Sequence, residues 1–116
     1  MNTSKNNNIS SVDPLDRLIH EKGLRIKHVL PMKDLDILLI VFNNKSIIKA
    51  KLSNYKTLSK AKKEDLNNWK LSSNGIGIRW ETLNEDLSAK GFLKEAMEKN
   101  IINRLQHNEQ NEGILF

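Results

Sequence analysis

The stretch "LDILLIVF", residues 35 to 42, constrains this chain more than any other. Its one polar residue is an aspartate, so the side chains that alternate across an extended strand are apolar on both faces. Such a run suits a central strand covered on both sides. "NNKS" (43 to 46) follows as a hairpin turn, because asparagine tolerates a positive φ. "SIIKAKL" (46 to 52) returns with Ile48, Ala50 and Leu52 inward and Lys49 and Lys51 outward. Before the run, "LRIKHVL" (24 to 30) alternates, with Leu24, Ile26 and Val29 or Leu30 apolar. With "PMKD" (31 to 34) as a turn, the three strands form a meander.

The flanking segments read as helices and a second hairpin. Asp13 is placed to cap a first helix, Pro14 fits its first position, and Gly23 fits its left-handed exit. Leu15, Leu18 and Ile19 fall on one face of it. "SNYKTLSKAKKEDLNN" (53 to 68) predicts one broken helix or two short ones, burying Tyr55, Leu58, Ala61 and Leu66. "WKLSS" (69 to 73) and "GIGIRW" (75 to 80) pair around Ser73 and Asn74. A last helix runs from Ser88 to about Leu105, with Phe92, Leu93, Ala96, Met97, Ile101 and Leu105 recurring at threes and fours.

The expected architecture is therefore α+β and two-layered: a mostly antiparallel sheet of about five strands, meander plus hairpin, packed with N- and C-terminal helices. Leu38, Ile40, Ile48, Ile76, Ile78, Trp80, Phe92, Leu93 and Met97 should form its core, and Trp69 should be a second indole anchor. Residues 1 to 11 are Asn/Ser/Lys-rich and expected to be disordered, residues 12 to 107 form a single domain, and 108 to 116 make a tail of no assigned structure. No internal repeat and no linker divides the 116 residues, a length that supports one modest core.

Composition removes several classes of function. The absence of Cys removes disulfides, thiolate nucleophiles and Cys-based zinc sites together. No apolar run approaches the roughly 18 residues of a membrane span, and "MNTSKNNNISS" lacks the hydrophobic stretch of a signal peptide, so a cytoplasmic location without membrane contact is expected. The net charge is +5, from 19 basic and 14 acidic residues. However, 15 Asn, 15 Lys and 12 Ile are the bias that AT-rich codons produce, and only four residues are Arg, the side chain best shaped to grip bases and phosphates.

"GIGIRWETLNEDLS" (75 to 88) is the stretch most suggestive of a site. A phosphate loop needs glycines that leave a strand and open a helix, but Trp80 stands where a third glycine belongs, and seven more residues precede the helix. A strand explains more: Ile76, Ile78 and Trp80 on one face, Gly75, Gly77 and Arg79 on the other. Ser88 can cap the following helix, with Leu87 stapling to Phe92 and with Glu85 and Asp86 near its positive end. Glu81, Glu85 and Asp86 also admit an acid/base reading, if burial separates their pKa values.

Other constellations are absent. His20, His28 and His107 lie on different elements without metal-ligand spacing, and no G-x-S-x-G elbow raises a serine to a nucleophile. No catalytic, cofactor or metal residues are assigned. The one physical hint of a partner is basic: Lys45, Lys49, Lys51, Lys56, Lys60, Lys62 and Lys63 occur without an intervening acid. Lys45, Lys49 and Lys51 share strand parity, and Lys56, Lys60 and Lys63 would align on a continuous helix. Such a face fits phosphates or an acidic protein surface, and equally a solvated strand edge guarded by lysine.

The segment "TLSKAKKEDLNNWKLSSNGIGIRWETLNEDLSAKGFL" resembles the bacterial family known as domain of unknown function 2442. "LSKA" and "NNW", the "GIGIRW" centre and "LNEDLSAKGFL" match its characteristic segment in order and spacing, and the preceding meander extends the likeness over residues 22 to 93. The resemblance implies a small α+β fold of meander, helix, hairpin and helix. The family often has His-Trp-Pro-Glu-Leu-Asp-Glu-Asp where this chain has Arg79-Trp80-Glu81-Thr82-Leu83-Asn84-Glu85-Asp86, and Thr-Pro where Lys62 and Lys63 stand. It brings no established catalytic residues. Its members often neighbour a second small protein in a pairing like a toxin–antitoxin module, and some carry an added helix-turn-helix domain, for which this chain is expected to be too short. The expected function is thus a non-enzymatic, antitoxin-like interaction protein binding a small partner encoded nearby. The alternatives are a weak, non-specific nucleic-acid module on the lysine face, and an enzyme using the Glu81, Glu85 and Asp86 cluster.

Overall fold

The computed structural model describes residues 13–110; the N-terminal segment and the last residues of the tail, on which two of the sequence expectations fall, lie outside the described residues. Asp13 caps the first helix through a 2.8 Å hydrogen bond accepted from the Leu15 amide, with Pro14 at the first position. This helix, α1 (Pro14–Asp16), widens into a π turn over Arg17–Glu21, closed by the Lys22 amide on the Arg17 carbonyl, and Gly23 leaves it at φ +75°. Leu15 and Ile19 are buried, whereas Leu18 is exposed. The wider turn rotates Leu18 away from the face that the spacing assigned to it.

Two three-stranded antiparallel sheets follow. The first is β1 (Ile26–Met32), β2 (Ile37–Phe42) and β3 (Ile47–Ala50), in that order. A bulge between Ile26 and His28 puts Ile26 and Val29 on one face, which settles that inward position on Val29 and leaves Leu30 outside. The expected turn at 31 to 34 is two residues late: β1 continues through Pro31 and Met32, and the turn is Lys33–Leu35 closed by Asp36 at φ 57°. Asp36 adopts this left-handed geometry readily and binds the Ser53 amide at 2.8 Å.

Lys56–Ser59 and Lys63–Leu66 form two short helices, α2 and α3, as the broken pattern predicts; Leu58, Leu66 and Ala61 in the break between them are buried, while Tyr55 is only half-buried. The second sheet is β4 (Trp69–Ser72), β5 (Gly77–Trp80) and β6 (Glu85–Ser88). The five-strand expectation thus becomes six strands in two sheets. The added strand is β6, whose acidic start suggested a helix approach instead. β6 edges its sheet, a place where charged side chains are tolerated. Ser88 ends it and caps the long helix α4 (Ala89–Gln110), accepting the Gly91 amide at 3.0 Å.

The inner faces of both sheets share one apolar core with α1 to α4. Ile78 and Trp80 are completely buried, as strand parity requires, and the Trp80 indole donates to the Leu66 carbonyl at 2.9 Å. Ile76 sits in the turn before β5 rather than on the strand, yet still packs against the core with Ile48, Leu93 and Trp69. Met97 does not: it is 51 % exposed, and Ile101 and Leu105 beyond it are exposed as well. Helical spacing of apolar residues marks a face but cannot say where the body beneath it ends.

Candidate functional site

The "GIGIRW" segment is first a device for joining the two sheets. Ser73, Asn74 and Gly75 all take positive φ, and the turn they make brings Gly75 against the backbone of Ile26 at the start of β1. Behind it the Ala89 amide donates to the Ile76 carbonyl at 2.8 Å, tying α4 to the same turn. A cleft of about 470 Å³ opens beside this turn, lined by Tyr55, Ser72, Gly77, Ser88 and Phe92 among others. Tyr55 stacks edge-on against Phe92 at 5.8 Å and donates its hydroxyl to Glu95. Burial, and then the bond to Glu95, push its phenol well above its ordinary value. The cleft is floored by glycine and serine.

Of the three acids of this segment, Glu81 and Asp86 meet on Arg79 while Glu85 stands apart. Across the second sheet Arg79 opposes Asp86, and the two pair, while Arg79 also meets Glu81 at 3.3 Å and Asn84 at 2.9 Å. Lys70 completes the ladder on Glu81 at 3.1 Å. That hydrogen bond and then the Arg79 charge hold Glu81 below the usual carboxylate range. Glu85 lies one residue out of phase, opposite Trp80. The geometry suits a charged surface ladder, the reverse of an acid raised toward neutrality for proton transfer. His28 packs edge-on against Trp69 at 5.2 Å, and the His107 side chain lies outside the described set. Among the described residues no three His, Cys, Asp or Glu side chains converge as a metal site would need.

The first sheet carries an unmet apolar surface. Leu38, Ile40 and Phe42 of β2 are buried, but Ile37, Leu39 and Val41 on its other face are only half-covered. Register places Leu30 beside Leu39 and Ile47 beside Val41 on that face, where they are 44 % and 60 % exposed. The β2 sequence predicts cover on both sides. Among the described residues, only one side has it.

All seven lysines of the basic block are exposed. Lys49 stands on the open face, paired in register with Leu39. Lys45 occupies the β2–β3 turn at φ 72°, and Lys51 follows β3. Lys56, Lys60 and Lys63 do not share a helix, because the chain breaks between α2 and α3; Lys60 and Lys62 lie in the break. Lys63 is paired with Asp34 at 3.0 Å. Two residues that sequence spacing did not associate with the block join it in space: Leu35, exposed in the β1–β2 turn, and Lys99 of α4. Both are remote in sequence from β3, so only the folded chain brings them there.

A family model described as "Protein of unknown function (DUF2442)" matches residues 26–98. Among solved structures, an uncharacterized protein of Chromobacterium violaceum, determined by solution NMR, is similar at a TM-score of 0.58 and 24 % identity, over 69 % of this chain and 72 % of that one. A crystallised protein of unknown function from Rhodospirillum rubrum is similar at 0.57 and 20 % identity, over 63 % of this chain and 88 % of that one. At these identities the likeness is one of fold. No curated protein matches the chain.

Proposed function

The chain belongs to the DUF2442 family of proteins of unknown function, and on that footing we propose that it is a non-enzymatic, antitoxin-like interaction protein that binds a small partner protein encoded nearby. One observation carries this reading: the half-covered apolar face of β2, widened by Leu30 and Ile47 and bordered by lysines. An apolar centre with a charged rim is the usual anatomy of a protein-binding patch. The test is co-expression with the product of the adjacent reading frame and purification through that partner. The wild-type chain is expected to co-purify, and Leu30→Glu and Ile47→Glu, folded by circular dichroism, to be lost. Co-purification of both variants at the wild-type level overturns the reading.

The second reading is weak nucleic-acid binding through the lysine block, favoured by the exposure of Lys45, Lys49, Lys51, Lys56, Lys60 and Lys62 outside any described ion pair. It predicts sequence-independent binding to duplex DNA that is micromolar or weaker at physiological salt and falls steeply as salt rises, each lost phosphate contact reducing the log–log slope by about 0.9. No helix among the described residues is long and apolar enough to cross a membrane.

A further inference from the structure

We infer that the partner surface recognised by this chain is acidic as well as apolar, and that its carboxylates are received by Lys49, Lys51 and Lys99. The inference rests on the partner-binding reading and specifies the chemistry of that partner. The three lysines come from β3, the segment after it, and α4, and they line one depression of about 280 Å³ with Leu35 and Ile37. None of the three makes an ion pair with a described carboxylate. The one acid in the depression, Asp36, is engaged by the Ser53 amide and hydroxyl at 2.8 and 2.7 Å. Glu95 and Glu98 border Lys49 and Lys99 in a neighbouring depression but form no described ion pair with them, so an anionic group seated among the three lysines adds a favourable pairing.

The depression is continuous with the open sheet face. Lys49 lies in register with Leu39, and Ile37 belongs both to the depression and to the half-covered face of β2. A ligand that seats carboxylates at the lysines therefore lays its adjoining residues over Leu39, Val41 and Ile47. That juxtaposition favours a polypeptide carrying apolar and acidic side chains side by side. A nucleic-acid backbone would satisfy the lysines but leave the apolar half of the surface against sugar and solvent.

The test uses the full chain and a labelled synthetic peptide that joins a Leu/Ser block to a Glu block, followed by fluorescence anisotropy. Replacing the Glu block by Gln, or introducing Lys49→Glu, Lys51→Glu and Lys99→Glu together, is expected to weaken binding by about tenfold or more, the scale of three exposed ion pairs. Circular dichroism checks that the triple variant stays folded. Ile47→Glu, which touches only the apolar half, is expected to weaken binding comparably, and single-stranded DNA to compete poorly. Equal binding of the Gln peptide, or displacement by DNA at matched concentration, overturns the inference. Capture of the neighbouring gene product is read in parallel. If the triple lysine variant captures it normally while Ile47→Glu does not, the acidic-partner inference fails and the partner-binding reading stands. If Ile47→Glu and Leu30→Glu also capture it normally, both fail.

Discussion

Gly75 lies so close to Ile26 that a β-carbon on it would stand 2.6 Å from the Ile26 carbonyl oxygen. Its φ of +96° is also one that side-chain-bearing residues rarely adopt. Gly75→Ala should therefore lower stability by about 2–4 kcal/mol, combining backbone strain with displacement of β1. Gly23→Ala is the control, since φ is +75° there but nothing lies within 4 Å of the added carbon. It should cost about 1 kcal/mol. Urea unfolding of both variants checks this; equal losses would mean the contact with Ile26 contributes nothing.

The two faces of the first sheet should respond differently to substitution. Ile40 is completely buried, and Ile40→Ala should cost about 2–5 kcal/mol through lost burial and a residual cavity. Ile47, in register with the neighbouring Val41, points to the open face, and Ile47→Thr should change stability by no more than about 0.5 kcal/mol. A large loss at Ile47 in the isolated protein would show that the open face is already covered.

Lys90 meets Asp13 at 3.0 Å and Asp16 at 3.1 Å, binding the start of α4 to the start of α1. The Leu15 amide and then Lys90 lower the Asp13 pKa below 3.8, and the hydrogen bonds that Lys90 donates to Asp13 and Asp16 raise its own above 10.5. A lowered carboxyl pKa contributes stability above its unfolded value and loses it as pH falls through the folded one. The stability advantage of wild type over Asp13→Asn, which keeps a capping side chain, should thus persist at neutral pH and vanish under acid below 3.8. Denaturation midpoints across that range provide the measurement.

Tyr55 is the sole tyrosine, so ultraviolet absorbance follows its phenol alone. Burial first, then Glu95, raise its pKa from 10.0. The neutral phenol therefore stabilises the fold at lower pH, and that contribution declines as alkali rises above 10.0. The expected titration is delayed relative to the urea-unfolded chain, and Glu95→Gln should bring it part of the way back. An ordinary titration in the folded protein would place Tyr55 in solvent.

Much of the local structure was legible because it obeys short-range rules. Asp13-Pro14 and Gly23 bracket the first helix, Ser88 caps the last, and the parity of Ile78 and Trp80 holds. The failures are tertiary. Glu85 and Asp86 have weak strand propensity, and β6 forms because Arg79 and the β5 backbone stand opposite. The bulge after Ile26 breaks the alternation that left Val29 and Leu30 interchangeable. Of the proposed partner surface, Lys49 and Lys51 were visible as outward residues of one strand, while Lys99 and Leu35 reach it only through folding.

Each sheet is built from strands consecutive in the chain, joined by turns of a few residues. Pairings of such short sequence separation incur little loop-closure entropy, so each sheet can assemble rapidly and by itself. The first is complete by Ala50, before any of β4 to β6 has left the ribosome. Its two faces then carry Leu38, Ile40 and Phe42 on one side, and Leu39, Val41 and Ile47 on the other. In the finished fold the first of these faces shares a core with Ile78, Trp80 and Phe92, all of which come later in the chain. The second half of the chain covers one side, while the half-covered other side leaves the finished protein an apolar sheet face of the kind that favours aggregation.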